Sequence, residues 1–268
     1  MLDLKLVLGL DGLDYNLVKR FDCSCLMQKQ FGEYAVPINP SKGVPLSPEV
    51  WASVLSGTMV EGGSLEFVVD SPLGQKWGSK LTNLLVRVRR HIPLSLGLGR
   101  KVSRVHGYPP CSLPFWLDAP DWFKLNVPFR DYDERIFQLA AEWNQGLTNY
   151  DRFIERVGDL FWQRKIQVMD AVPTMKGFSK AFVYLDFPDS LQHAFGSSLQ
   201  QFQSHYEELN QFVTRFLSLL KPETCLILSD HGFDLEKQTH SNFGFYSCTE
   251  SVSLKDASDV AKIVASWR

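Results

Sequence analysis

Apolar residues in this chain gather into short runs that stop at an acid. Leu4–Leu10 (LKLVLGL) ends at Asp11-Gly12, Lys180–Leu185 (KAFVYL) runs into Asp186 and then Asp189, and Thr224–Ser229 (TCLILS) ends at Asp230-His231-Gly232. Runs of this length, closed by turn-forming residues, predict buried strands. Between them the spacing changes to that of helices. Asp14–Phe21 carries Leu17, Val18 and Phe21 on one side, and Asn149–Asp170 carries Phe153, Val157, Leu160, Phe161 and Val168. Asp133–Asn144, Gln200–Leu220 and Lys255–Trp267 have the same character, while Gln30–Pro45 reads as extended. Strands alternating with helices predict an α/β fold, with a mostly parallel central sheet and helices on both faces.

A further helix is marked by Pro45-Leu46-Ser47-Pro48-Glu49 and closed by Gly57. Ser47 is placed as its N-cap and Pro48 as its first helical residue. Two roles are open to Ser47. It can cap the helix, or it can serve as a nucleophile where backbone N–H groups and the helix dipole favour an oxyanion or phosphate.

The 268 residues suit one domain, 1–268, with a cap or insertion expected over 64–130. Charge sharpens that expectation. Ser71–Leu117 holds eight of the 28 Lys and Arg residues and no acid, which leaves 20 bases against 30 acids elsewhere. A basic stretch on an acidic body points to an anionic ligand, or simply to a solvated face. Five cysteines, with Cys23-Ser24-Cys25 as the nearest pair, make neither a disulfide framework nor a zinc ribbon. The first ten residues lack a signal-peptide pattern, and no run approaches the ~20 apolar residues of a membrane span. The expectation is a cytoplasmic protein with no membrane span. Oligomeric state is not legible.

The chemistry sits where the strands stop. Parallel neighbouring strands would bring Asp11, Asp189 and Asp230 to one edge of the sheet, where sites form in open α/β folds. His193, His231 and His240 follow those acids, and Asp189 and His193 are one helical turn apart. Asp186 competes with Asp189 but lacks that spacing. Three carboxylates and three imidazoles are enough for two divalent metal ions, and the mixed set suits Zn²⁺, Mn²⁺ or Fe²⁺ better than Ca²⁺. Two ions roughly 3.5–4 Å apart can clamp the attacking and leaving oxygens of a displacement at phosphorus. Ser47 is then the natural nucleophile.

Taken together these stretches resemble the alkaline phosphatase superfamily, in its type I phosphodiesterase / nucleotide pyrophosphatase branch and its short prokaryotic members. Val7–Gly12 resembles the opening strand with its metal aspartate. Pro45–Ser53 is similar to the nucleophile helix, Thr/Ser-Pro-x-x-Trp-x-Ser. Pro188–His193 resembles Pro-Asp-x-x-x-His, Ser229–Gly232 resembles Ser-Asp-His-Gly, and His240 resembles the last metal histidine. The resemblance implies one ion on Asp189, His193 and His240. It implies a second on Asp11, Asp230 and His231, with Ser47 Oγ bound there and phosphorylated during turnover. The chain departs from the family's Pro-x-x-His-Gly at Met59–Gly63 and has Glu49 and Val50 where an asparagine is common. Sulfatase and phosphoglycerate mutase signatures are absent. The leading expectation is a metal-dependent hydrolase of a phosphorylated small molecule. The second is a scaffold of weak or no activity that holds an anionic partner, nucleic acid or a lipid head group, through segment 71–117.

Overall fold

A computed structural model describes residues 3–65, 68–70, 104–106, 108, 111–196 and 198–267, the two short segments 68–70 and 104–106 by backbone alone. The chain opens with β1 (Lys5–Leu10), α1 (Tyr15–Arg20), β2 (Gln30–Ala35) and α2 (Ser47–Ser56). Next come β3 (Val68–Asp70), β4 (Arg104–His106), β5 (Trp122–Leu125), α3 (Arg135–Asn144) and α4 (Tyr150–Met175). The last third holds β6 (Lys180–Leu185), α5 (Asp189–Phe195), α6 (Leu199–Leu220) and β7 (Thr224–Ser229). It closes with β8 (Phe233–Asp234), β9 (Thr239–His240), β10 (Phe243–Cys248) and α7 (Asp259–Ser266).

Six strands form the central sheet in the order β2-β10-β7-β1-β6-β5. β1 pairs in parallel with both β6 and β7, and β5 with β6, while β10 runs against its two neighbours. This is the mostly parallel α/β sheet the alternation called for. Period-two alternation splits the strands between two faces. Leu6, Leu8 and Leu10 of β1, with Ala181 and Val183 of β6 and Ile227 of β7, face the cluster built on α1, α4 and α6. Val7, Phe182, Tyr184, Leu226 and Leu228 face the other cluster, covered by α2 and α7. Burial on both sides explains why these strands read as continuous apolar runs.

Several boundaries differ from the sequence reading. Ser47 is not the N-cap. Leu46 takes that place without a side-chain cap bond, and its carbonyl accepts from the Glu49 and Val50 N–H groups, so the Ser47 hydroxyl is left to turn elsewhere. Residues 122–125, inside the expected 64–130 insertion, form the edge strand of the main sheet, because Trp122 packs into the same core as α7. α4 continues past Asp170 and Pro173, since Val172 and Met175 are buried in the core. β3 and β4 pair as an antiparallel ribbon. The basic residues from Lys76 to Lys101, and His91 with them, lie outside the described residues. All five cysteines are free. Among the described residues, no helix is long and apolar enough to cross a membrane.

Candidate active site

β1 lies between β6 and β7, so the loops that leave these three strands meet at one edge of the sheet. Backbone bonds lock them together. The Asp189 N–H donates to the Asp11 carbonyl at 3.0 Å, the Gly12 N–H to Asp230 Oδ1 at 3.3 Å, and the Leu13 N–H to Ser229 Oγ at 2.7 Å. Gln192 adds a bond from Nε2 to the Gly12 carbonyl at 2.9 Å. Gly12 has φ +77°, and a Cβ there would stand 2.7 Å from the Cβ of Asp189, so both the turn and the close approach require glycine.

α2 completes the site. Val50, Trp51, Val54 and Leu55 fix it to the sheet and point its N-terminus at the cluster. Ser47 Oγ lies 3.3 Å from His231 Nε2. That nitrogen is also 3.3 Å from Asp11 Oδ1 and 3.4 Å from Asp230 Oδ2. On the other side, Asp189 Oδ1 is 3.2 Å from His193 Nε2 and 3.6 Å from His240 Nε2, and those two ring nitrogens are 3.0 Å apart. The His231 and His240 rings stack at 3.7 Å. All seven residues singled out in the sequence therefore meet in one place. Asp186 is committed elsewhere, with Oδ2 accepting from the Tyr132 hydroxyl at 2.9 Å and lying 3.7 Å from Arg164.

The donor set fits cations. Asp11 Oδ1, Asp189 Oδ1 and Asp230 Oδ2 are buried oxygens that no hydrogen bond meets, and such atoms are costly unless something positive reaches them. His240 Nδ1 bonds the Pro45 carbonyl at 2.9 Å and His231 Nδ1 bonds the Gly232 carbonyl at 3.1 Å. A carbonyl only accepts, so each Nδ1 carries a proton, and each Nε2 turns into the cluster, where it would offer its lone pair to a bound cation in place of a proton. Two overlapping triads result, Asp189/His231/His240 and Asp11/Asp230/His231, each with donor atoms within 4.8 Å of one another. His231 is common to both, a sharing that spacing along the chain does not reveal.

The electrostatics show the same strain. Burial, and then the charge of Asp11, push the Asp230 carboxyl well above its ordinary range. Burial opposes a charged His231, yet Asp230 and Asp11 raise it to about 10. Burial also opposes a charged Asp189, but His193, His240 and His231 outweigh it and hold that carboxyl low. Burial, with His231 beside it, lowers His240 to about 4. Crowded carboxylates thus draw positive charge into a dry site, and divalent cations would answer the same demand.

The sequence reading missed what stands behind and beside these residues. Tyr184 Oη donates to Asp11 Oδ2 and lies 2.9 Å from Tyr108 Oη. A tyrosine inside a buried strand is itself a signal, because its hydroxyl needs a partner. Ser47 and Asp11 open into a cleft of about 540 Å³ that also reaches Asp189, His193, His240 and one face of α3.

Fold and site define an α/β protein with an acid- and histidine-rich cleft at the carboxyl edge of its sheet. The chain belongs to the type I phosphodiesterase / nucleotide pyrophosphatase family, whose profile matches residues 60–265. That family is one of phosphoester hydrolases. The matched span includes Asp189, His193, Asp230, His231 and His240, while Asp11 and Ser47 precede it. No curated protein sequence matches the chain. Among solved structures, the chain is similar to the PH0037 protein from Pyrococcus horikoshii, with 13% identity, 98% of this chain and 96% of that one covered, and a TM-score of 0.49. It is similar to alkaline phosphatase from the Antarctic bacterium TAB5, with 11% identity, 98% of both chains and a TM-score of 0.47. Murine ectonucleotide pyrophosphatase / phosphodiesterase 5, in an inactive form with AMP, shows 12% identity over 85% of this chain and 56% of its own, with a TM-score of 0.40.

Proposed function

We propose that the protein hydrolyses phosphoesters with Ser47 as nucleophile and two divalent cations, held by Asp11, Asp230 and His231 on one side and by Asp189, His193 and His240 on the other. The observation that carries this reading is the set of three buried, unbonded carboxylate oxygens converging with imidazole nitrogens on a helix-terminal serine. Family membership supports it. Bound cations would supply Lewis acidity at phosphorus and favour the serine alkoxide. The chemistry of the chain itself is then simple. Ser47 Oγ bonds to phosphorus as the substrate's alcohol leaves, and water later releases the phosphoryl group and restores the serine. The dry floor around Asp230 and His231 strengthens every charge interaction there. Zn²⁺ suits this nitrogen-and-oxygen set, and Mn²⁺ and Fe²⁺ are compatible with it.

The test combines metal analysis with a hydrolysis screen. Purified protein is expected to hold about two transition-metal ions per chain. Ser47→Ala should lower turnover of a monoester and diester panel by roughly a thousandfold or more while keeping its metal. Turnover that survives both chelation and Ser47→Ala would remove this reading.

A further inference from the structure

We propose that the cleft selects phosphoesters of an apolar, alkyl-type alcohol, whose chain lies along α3. The inference rests on the hydrolase reading and deepens it. One wall of the 540 Å³ cleft is the charged cluster around Ser47. The facing wall is helical and apolar, with Ile136, Phe137, Ala140 and Trp143 all lining the cleft. Their spacing, i, i+1, i+4 and i+7, is one face of a helix. Ile136, Leu139 and Ala141 of α3 are buried, whereas Phe137, Ala140 and Trp143 stay half-buried at the opening. A pocket of this size with one polar end and one apolar wall suits a ligand divided in the same way.

Polar atoms beside that wall are already engaged. The Tyr132 hydroxyl donates to Asp186 at 2.9 Å, and the Tyr108 and Tyr184 hydroxyls lie 2.9 Å apart, with Tyr184 bonded on to Asp11. Rings are committed as well, since Trp143 stacks on Phe153 at 4.5 Å and 18°. Among the described residues, no lysine or arginine lines the cleft. Among the described residues, Asn144 at the exposed end of α3 is the one polar side chain of that helix lining the cleft, and the rest of the wall offers nothing to a second phosphate or the hydroxyls of a sugar. An alkyl chain asks for neither and gains from every methylene removed from water.

Metal-loaded protein should be assayed with two series from methyl to hexyl, n-alkyl phosphates followed by phosphate release and n-alkyl 4-nitrophenyl phosphates followed by nitrophenol. The expected result is a rise in kcat/KM of about threefold per methylene in at least one series. A flat or falling trend, or a nucleoside ester that outpaces the hexyl ester, would overturn the inference. Ala140→Glu should bring the hexyl-to-methyl ratio close to one, and Ala140→Leu should preserve it, with thermal unfolding of each variant checking that it folds. A ratio unchanged in folded Ala140→Glu counts against the assignment of this wall. If neither series is hydrolysed while the broader monoester and diester panel is, this inference falls and the hydrolase reading stands; if nothing in either is hydrolysed, the hydrolase reading falls, and binding still decides this inference. Metal-loaded Ser47→Ala should bind hexylphosphonate more tightly than methylphosphonate, and equal affinities would overturn it.

Discussion

A tyrosine near the end of a buried strand needs a partner for its hydroxyl, and Tyr184 finds one in Asp11. The phenol holds one oxygen of that carboxylate, which leaves the other facing His231 at 3.3 Å. Removing the donor leaves a buried acceptor unbonded and lets the carboxylate rotate away from its aim. Outer-shell partners of this kind typically change metal affinity by roughly 10–100-fold. On the proposed two-cation reading, Tyr184→Phe is accordingly expected to weaken one ion by that factor and to leave the other nearly unchanged. Competition with a chelator, read on the folded protein, resolves the two. Equal weakening of both ions, or of neither, would count against a local role for the phenol. Asp189 and Asp186 make the opposite point about legibility. Spacing alone separated them, through the four-residue step to His193, and the structure gives Asp186 to Tyr132 and Arg164.

At the scale of elements, α2 matters most because it aims Ser47. It is held by Trp51, which is fully buried and packs edge-on against Tyr184 at 5.0 Å and Phe182 at 6.4 Å. The strand beneath makes room for it. A Cβ on Gly9 would lie 2.8 Å from the Trp51 ring, which accounts for a glycine in the middle of β1. Truncating this side chain opens a large cavity between helix and sheet. Trp51→Ala should cost about 3–5 kcal/mol of stability, measured by urea unfolding. A loss under about 1 kcal/mol would show that α2 is anchored by its neighbours instead. The helix itself was plain in the sequence from Pro48, Glu49 and Gly57. Its cap was not, because the choice between a capping hydroxyl and one turned toward His231 depends on a residue 184 positions away.

For the molecule as a whole, His205 ties stability to pH. It is buried on α6 among Phe161, Phe187 and Phe195, and its Nε2 meets no hydrogen bond. Burial, offset in part by Glu208, lowers it to about 4. Unfolded, a histidine takes its proton near pH 6.5. Between those values the unfolded chain binds the extra proton, so this residue's part of the stability is complete above about pH 6.5 and is lost as pH falls toward 4. The loss amounts to about 3 kcal/mol at most, from ~1.4 kcal/mol per pH unit. His205→Phe should give a stability curve flatter by that order between pH 7 and pH 4.5 in urea titrations. Parallel curves for the two proteins would contradict this origin.

The sequence alone determined the strands that carry the candidate site, the mostly parallel sheet they form, and the acids Asp11 and Asp230 that follow two of them. It could do so because burial on both faces makes a strand continuously apolar, so an acid that breaks the run marks the strand's end, even where, as at Asp11 and Asp230, the acid itself is buried. Local patterns also fixed the helices to within a few residues. Only the tertiary structure decided who meets whom. The sharing of His231 between two triads, the phenol behind Asp11, the place of Trp122 at the sheet edge and the apolar face of α3 across from Ser47 all depend on residues far apart in the chain. Such contacts leave no periodic mark, since their partners are chosen by packing and by the need of each buried polar atom for a neighbour.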